Sequence, residues 1–185
     1  MRKVVMLNRV SIDGFFAGPN GEIDWFIHDP EVDQAAHAMM SPDTLLMGRV
    51  TYQMFESYWP LVARDPDAPK DARIVADELN QMNKVVFSNT LAEVTWVNSR
   101  LVRNDVVREV RQIKQGTGAD ITIFGSGTIV QQLAKENLID EYLITLTPVV
   151  IGKGRPLFLD VKRMDLKLLE TRAFVSGNLL LHYAI

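Results

Sequence analysis

Asp120-Ile-Thr-Ile-Phe-Gly125-Ser-Gly-Thr-Ile-Val-Gln-Gln-Leu133 is the stretch that decides the fold class. A short β-branched run ends in Gly-Ser-Gly-Thr, and helical spacing follows at once. This reads as a strand, a glycine turn and a helix start. Backbone N–H groups at such a turn point outward and the helix start carries partial positive charge, so the feature suits an anion, typically phosphate. It is not a dinucleotide fingerprint, because Val130 occupies the sixth position from Gly125, where a small residue is needed. Nor is it a P-loop, since no Gly-Lys-Ser/Thr follows. Alone, it fits equally well a glycine that merely lets a strand enter a helix closely.

The same pattern recurs around it. Strand-like runs cover Lys3–Leu7, Thr44–Met47, Lys84–Ser88, Ile121–Phe124, Glu141–Thr147, Leu166–Arg172 and Leu179–Ala184, with Val94–Val97 as a short extra strand. Lys84-Val-Val-Phe87 is apolar on both faces after its first residue, as expected of a buried central strand. Helix-like runs cover Val32–Met40, Val50–Tyr58, Asp71–Met82, Val106–Lys114 and Ile129–Glu136. In the fourth, Val106, Val110 and Ile113 fall at helical spacing, with Asn104 or Asp105 as cap. Pro60 to Pro69 reads as a loop. The order largely alternates strand and helix up to residue 147 and ends in two strands. That predicts an α/β fold with a mostly parallel central sheet, flanking helices and a C-terminal antiparallel hairpin.

Composition narrows the function. A chain of 185 residues suits one domain, here residues 1–185. A net charge of −3 argues against a nucleic-acid partner. With no cysteine, disulfides, thiolate metal sites and cysteine nucleophiles are excluded. His28, His37 and His182 are scattered, so no metal site is expected. No segment reads as membrane-spanning, and the short apolar run after Met1-Arg-Lys reads as a first strand rather than a signal peptide. A cytoplasmic protein is the expectation.

Three further segments place polar groups at strand ends, where open α/β sheets bind ligands. In Thr44-Leu-Leu-Met-Gly48-Arg49-Val-Thr51-Tyr52, Arg49 offers a planar fork of donors for phosphate and Thr51 a hydroxyl. Ser88 and Asn89 follow Val86-Phe87 and could bond a sugar or phosphate, or simply make a turn. Asp13 lies in a glycine-flanked loop beside Phe15 and Phe16, where it could donate a proton or cap a turn. Asp24, beside Trp25, is a second acid of this kind.

These segments, in this order, resemble the dihydrofolate reductase-like superfamily. The closer resemblance is to the reductase domain of the bifunctional riboflavin-biosynthesis deaminase-reductase and its stand-alone bacterial relatives. Ser11-Ile-Asp-Gly14, Met47-Gly-Arg-Val-Thr-Tyr52, Val85-Val-Phe-Ser-Asn89, Phe124-Gly-Ser-Gly-Thr128, Leu138–Thr145 and Pro148–Phe158 carry it. The resemblance implies a dihydrofolate reductase-like three-layer fold with an eight- or nine-stranded sheet, a homodimer, and NADPH passing hydride to a pteridine-like or pyrimidine-linked substrate. It puts Gly48, Arg49 and Thr51 on cofactor phosphate, Ser88 and Asn89 near the adenosine phosphate, and Gly125, Ser126, Gly127 and Thr128 on the pyrophosphate. Gly127 is then expected to permit close backbone approach to the cofactor without a role in stability. Asp13 matches an acidic position near the substrate, and Asp24 is comparable to the pterin-protonating acid of dihydrofolate reductases.

Two positions depart from the riboflavin pattern. Phe124 replaces a glutamate and Ser126 replaces the second glycine of a pair. An apolar ring cannot hold a ribityl or ribose hydroxyl, which points away from the riboflavin intermediate as substrate. No deaminase motif is present. The leading reading is a reductase of a small nitrogen heterocycle, with Asp13 and then Asp24 as proton donor or anchor, and Trp25, Tyr52, Phe55, Trp59 and Phe124 as pocket walls. The alternative is a non-catalytic nucleotide-binding protein or sensor.

Overall fold

The computed structural model describes residues 1–185. Its strands are β1 (Val4–Ser11), β2 (Phe15–Ala17), β3 (Pro42–Gly48), β4 (Asn83–Phe87), β5 (Ser99–Val102), β6 (Asp120–Phe124), β7 (Glu141–Thr147), β8 (Arg155–Pro156), β9 (Lys167–Ala173) and β10 (Leu179–Ala184). Its helices are α1 (Pro30–Ala38), α2 (Arg49–Arg64), α3 (Lys70–Gln81), α4 (Val106–Gln115) and α5 (Gly127–Lys135). Eight strands form one sheet in the order β5-β4-β3-β6-β1-β7-β10-β9, and β2 pairs with β8 in a separate antiparallel ribbon. The first six run parallel. β10 turns antiparallel against β7, and β9 pairs antiparallel with β10.

Strand alternation divides the core into two faces. Leu46, Ile123 and Met6 share one face with Val106 and Val110 of α4 and Ile129, Val130 and Leu133 of α5. Leu45, Met47 and Val86 face the other way, against Tyr52 of α2 and Leu79 of α3. Val5 and Leu143 share that second face with Ala35 and Ala36 of α1. Helices therefore cover both sides, giving three layers. The central strands are buried on both faces, which is why they read as continuous apolar runs. Lys84 is the exception in that run. Its buried ammonium donates to the carbonyls of Leu79 (2.6 Å) and Met82 (2.7 Å), satisfying the end of α3, and burial pushes its pKa down to about 8.

Two sequence expectations need correction. Val94–Val97 is not a strand, because the Thr95 and Trp96 amides donate to the Tyr52 hydroxyl and ladder pairing begins only at Ser99. Pro60 lies inside α2, so the loop spans only 65–69; the ring removes one N–H but the apolar face of the helix continues to Val62. Two helices, α2 and α3, separate β3 from β4, as the runs Val50–Tyr58 and Asp71–Met82 predict, and β5 intervenes before α4. The short ribbon of β2 and β8 carries no periodicity long enough to read.

Candidate functional site

The carboxyl ends of β4, β3, β6, β1 and β7 lie side by side along one sheet edge. Here β3 runs directly into α2 at Gly48-Arg49, and β6 runs into α5 through Gly125-Ser126. Because β3 and β6 are neighbours, two helix N-termini emerge together.

These two differ from the other three. Asp29 caps α1 by accepting from the Glu31 amide, and Asp105 caps α4 by accepting from the Arg108 amide. Asp71 stands in the first turn of α3. By contrast, α2 and α5 have no side-chain cap and no acid in the first turn. Their first amides lack intrahelical acceptors, and both dipole ends remain unneutralised. Arg49 adds an exposed guanidinium whose hydrogen bond goes to Gln53 Oε1 at 3.2 Å.

The β6–α5 turn takes its shape from two consecutive left-handed residues, Gly125 at φ +54° and Ser126 at φ +48°. Buried Asn8 supports it, donating from Nδ2 to the Gly125 carbonyl at 2.7 Å. The Gly125 amide donates to the Leu7 carbonyl at 3.1 Å. Ser126 Oγ accepts from the Gly48 amide and donates to Thr51 Oγ1, each at 3.0 Å. Sequence reasoning passes over Asn8, although an amide in the apolar run Val4–Val10 is the kind of signal that marks a buried polar anchor.

Thus Gly48, Arg49, Thr51, Gly125, Ser126, Gly127 and Thr128 do come together. Gly127 also serves packing. A Cβ there would stand 2.3 Å from the Phe16 ring, so the missing side chain makes room for β2. Ser88 sits one strand away, its Oγ accepting from the Thr90 and Leu91 amides, while Asn89 Oδ1 accepts from the Asn104 amide. Both side chains shape turns.

The acids stand apart from each other. Asp13 accepts from the amides of Gly152 (2.8 Å) and Ile151 (3.3 Å), pinning the loop after β7 to the loop after β1. The Ser11 hydroxyl and then these amides hold its pKa below the usual carboxylate range. In this arrangement its carboxylate joins the two loops. Asp24 lies exposed in the segment between β2 and α1, not on the first helix. The first helix carries two acids, Glu31 and Asp33, and Asp33 is ion-paired with Arg9.

The expected pocket walls also separate. Phe55 and Phe124 meet with ring centroids 6.0 Å apart, and Phe55 and Trp59 at 6.2 Å. They form an aromatic wall on the α2 side of the sheet. Tyr52 is no wall: it is fully buried, and its hydroxyl bonds Glu56 at 2.7 Å and the two amides named above. Trp25 stacks edge-on with Phe26 at 4.5 Å, near Arg9. A cavity of about 410 Å³ lined by Arg2, Thr44 and Asn98 opens near the amino ends of β3, β4 and β5. It includes none of the turn residues, so what defines the candidate site is its donors and turn geometry.

The family model for the RibD C-terminal domain matches residues 2–180. Among curated proteins, the uncharacterized YyaP of Bacillus subtilis is 35% identical over 178 residues, covering 95% of this chain and 91% of its own. Among solved structures, a pyrimidine reductase-like protein from Corynebacterium diphtheriae superposes with a TM-score of 0.67 at 13% identity, covering 99% of this chain and 91% of its own. Dihydrofolate reductase from Enterococcus faecalis, solved with NADP(H), gives a TM-score of 0.65 at 15% identity, covering 98% and 95%. At such identities these structures establish the dihydrofolate reductase-like fold.

Proposed function

The chain belongs to the RibD C-terminal domain family, and on that premise we propose that it is a single-domain, NADPH-dependent reductase of a small nitrogen heterocycle. The observation that carries this reading is the pair of uncapped, acid-free helix N-termini at adjacent strand ends. Two such ends beside Arg49 fit a pyrophosphate and a further phosphate. NADPH held there supplies the hydride. The amides at the starts of α2 and α5 bind its phosphates, and the turns at Gly48 and Gly125 orient it. Phe124, Phe55 and Trp59 offer an apolar surface for a flat ring. That wall favours a substrate with little polyol character over a ribityl intermediate.

Proton delivery is assigned to Asp24, since Asp13 is committed to backbone amides. The same reading includes a cytoplasmic homodimer, which light scattering measures. No helix is long and apolar enough to cross a membrane.

The test is NADPH oxidation across pteridines and aminopyrimidines. Turnover with any of them supports a reductase. Tight NADPH binding without turnover across the panel favours a nucleotide-binding sensor.

Asp13 has its own pH signature. Its depressed pKa means that its contribution to stability is present above the unfolded value, about 3.9, and is lost as pH falls through the folded one. Between pH 5 and 8 it stays ionised and adds no limb to the rate profile. Asp13→Asn retains an oxygen that can accept from Gly152. Its turnover therefore falls less than about tenfold, against about 10²–10⁴-fold for loss of a general acid. A loss of a hundredfold together with a vanished acidic limb would return the proton-donor role to Asp13.

A further inference from the structure

We propose that Ser126 is a positioning residue: its hydroxyl clamps the N-termini of α2 and α5 together and touches no ligand itself. This rests on reading the strand ends as a cofactor phosphate cradle. The β3–β6 ladder ends at Leu46 and Ile123, two residues short of Gly48 and Gly125. Beyond it, the hydrogen bonds joining the two turns are those of Ser126, from the Gly48 amide and to Thr51 Oγ1. A hydroxyl has one proton to give, and this one is spent on Thr51.

The backbone at Ser126 points the same way. At φ +48° and ψ +47° it is left-handed, where glycine sits without strain and serine does not. A serine in that conformation needs something to hold it. Its two hydrogen bonds do so, and Asn8 fixes the preceding residue from the other side. The clamp sets the spacing of two positive helix ends, and that spacing determines whether both can engage one diphosphate. Thr51 is the matching half of the clamp.

The experiment compares wild type with Ser126→Gly, Thr51→Val and the double variant. Ser126→Gly relieves the left-handed backbone while removing the two clamp hydrogen bonds, effects of similar size and opposite sign, so its melting temperature stays close to that of wild type. NADPH titration by tryptophan fluorescence shows affinity weakened about tenfold, with the cofactor KM raised equally and kcat within about twofold. Thr51→Val reproduces that loss, and the double variant is no worse than either single one. Amide exchange at Gly48, read without cofactor, quickens in Ser126→Gly.

Unchanged NADPH affinity in Ser126→Gly overturns the clamp. Multiplying losses in the double variant also overturn it, because Ser126 then contacts the ligand directly. If Ser126→Gly unfolds, Thr51→Val, which leaves the turn backbone untouched, decides by the same affinity criterion. Wild type that binds no NADPH overturns the cofactor reading and the clamp's role in it together, whereas wild-type binding that survives both single variants overturns the clamp alone.

Discussion

NADPH binds the wild-type chain at least about tenfold more tightly than NADH, and Arg49→Ala removes most of the difference. Its place at the β3–α2 turn, with no carboxylate partner, sets Arg49 apart. Arg2, Arg9, Arg100 and Arg111 each have a carboxylate partner. Arg49 has none, and its guanidinium holds only the neutral Gln53 amide one turn along α2. Placed at an uncapped helix start, it is free to meet the 2′-phosphate that distinguishes the two cofactors. A charge-assisted contact is worth about 1.5–3 kcal/mol, or roughly 10- to 150-fold in affinity. Arg49 is exposed, so the preference shrinks as ionic strength rises. Arg49→Lys restores only part of it, because an ammonium lacks the paired donors of the fork. Competitive titration of both cofactors at two salt concentrations measures all of this. Equal affinities in wild type would remove Arg49 from the phosphate site.

The sheet is legible in the sequence because its central strands are buried on both faces. Runs such as Leu45-Leu-Met47 and Lys84–Phe87 announce themselves without a partner. The strand-end turns are legible for a related reason: glycine followed by polar residues marks where a strand must give way to a helix. What stays hidden depends on long-range contacts. Phe16 and Gly127 are 111 positions apart in the chain, and nothing local says that the glycine faces the ring. Tyr52 reads as an aromatic near a turn, whereas tertiary packing buries it and gives its hydroxyl to the segment before β5. Asp13 reads as a proton donor or a turn cap, and its partners stay hidden because the amides of Ile151 and Gly152 belong to a distant loop. The Pro60 expectation fails differently. Proline punctuates a chain only where packing does not override it, and here packing of Trp59 and Val62 carries the helix onward.

Gly127→Val tests which of these forces governs the α5 N-terminus. Gly127 is buried and its backbone is not left-handed, so its need for glycine is steric. A Cβ would approach Phe16 Cε1 and Cζ to 2.3 Å, far inside contact distance. Either the ring or the helix start must move. Overpacking of this kind costs about 1–3 kcal/mol, which in a domain of this size lowers the melting temperature by roughly 2–12 °C. The variant therefore loses stability as well as cofactor affinity, contrary to a purely ligand-facing role for the glycine. Adding Phe16→Leu in the same chain makes room and separates the two effects. If the double variant regains both stability and NADPH binding, the glycine serves packing, and the turn amides work with a side chain present. If it regains stability alone, Gly127 is also required for backbone approach to the phosphates. A single Gly127→Val variant that melts like wild type would show that the Phe16 contact does not constrain α5 at all.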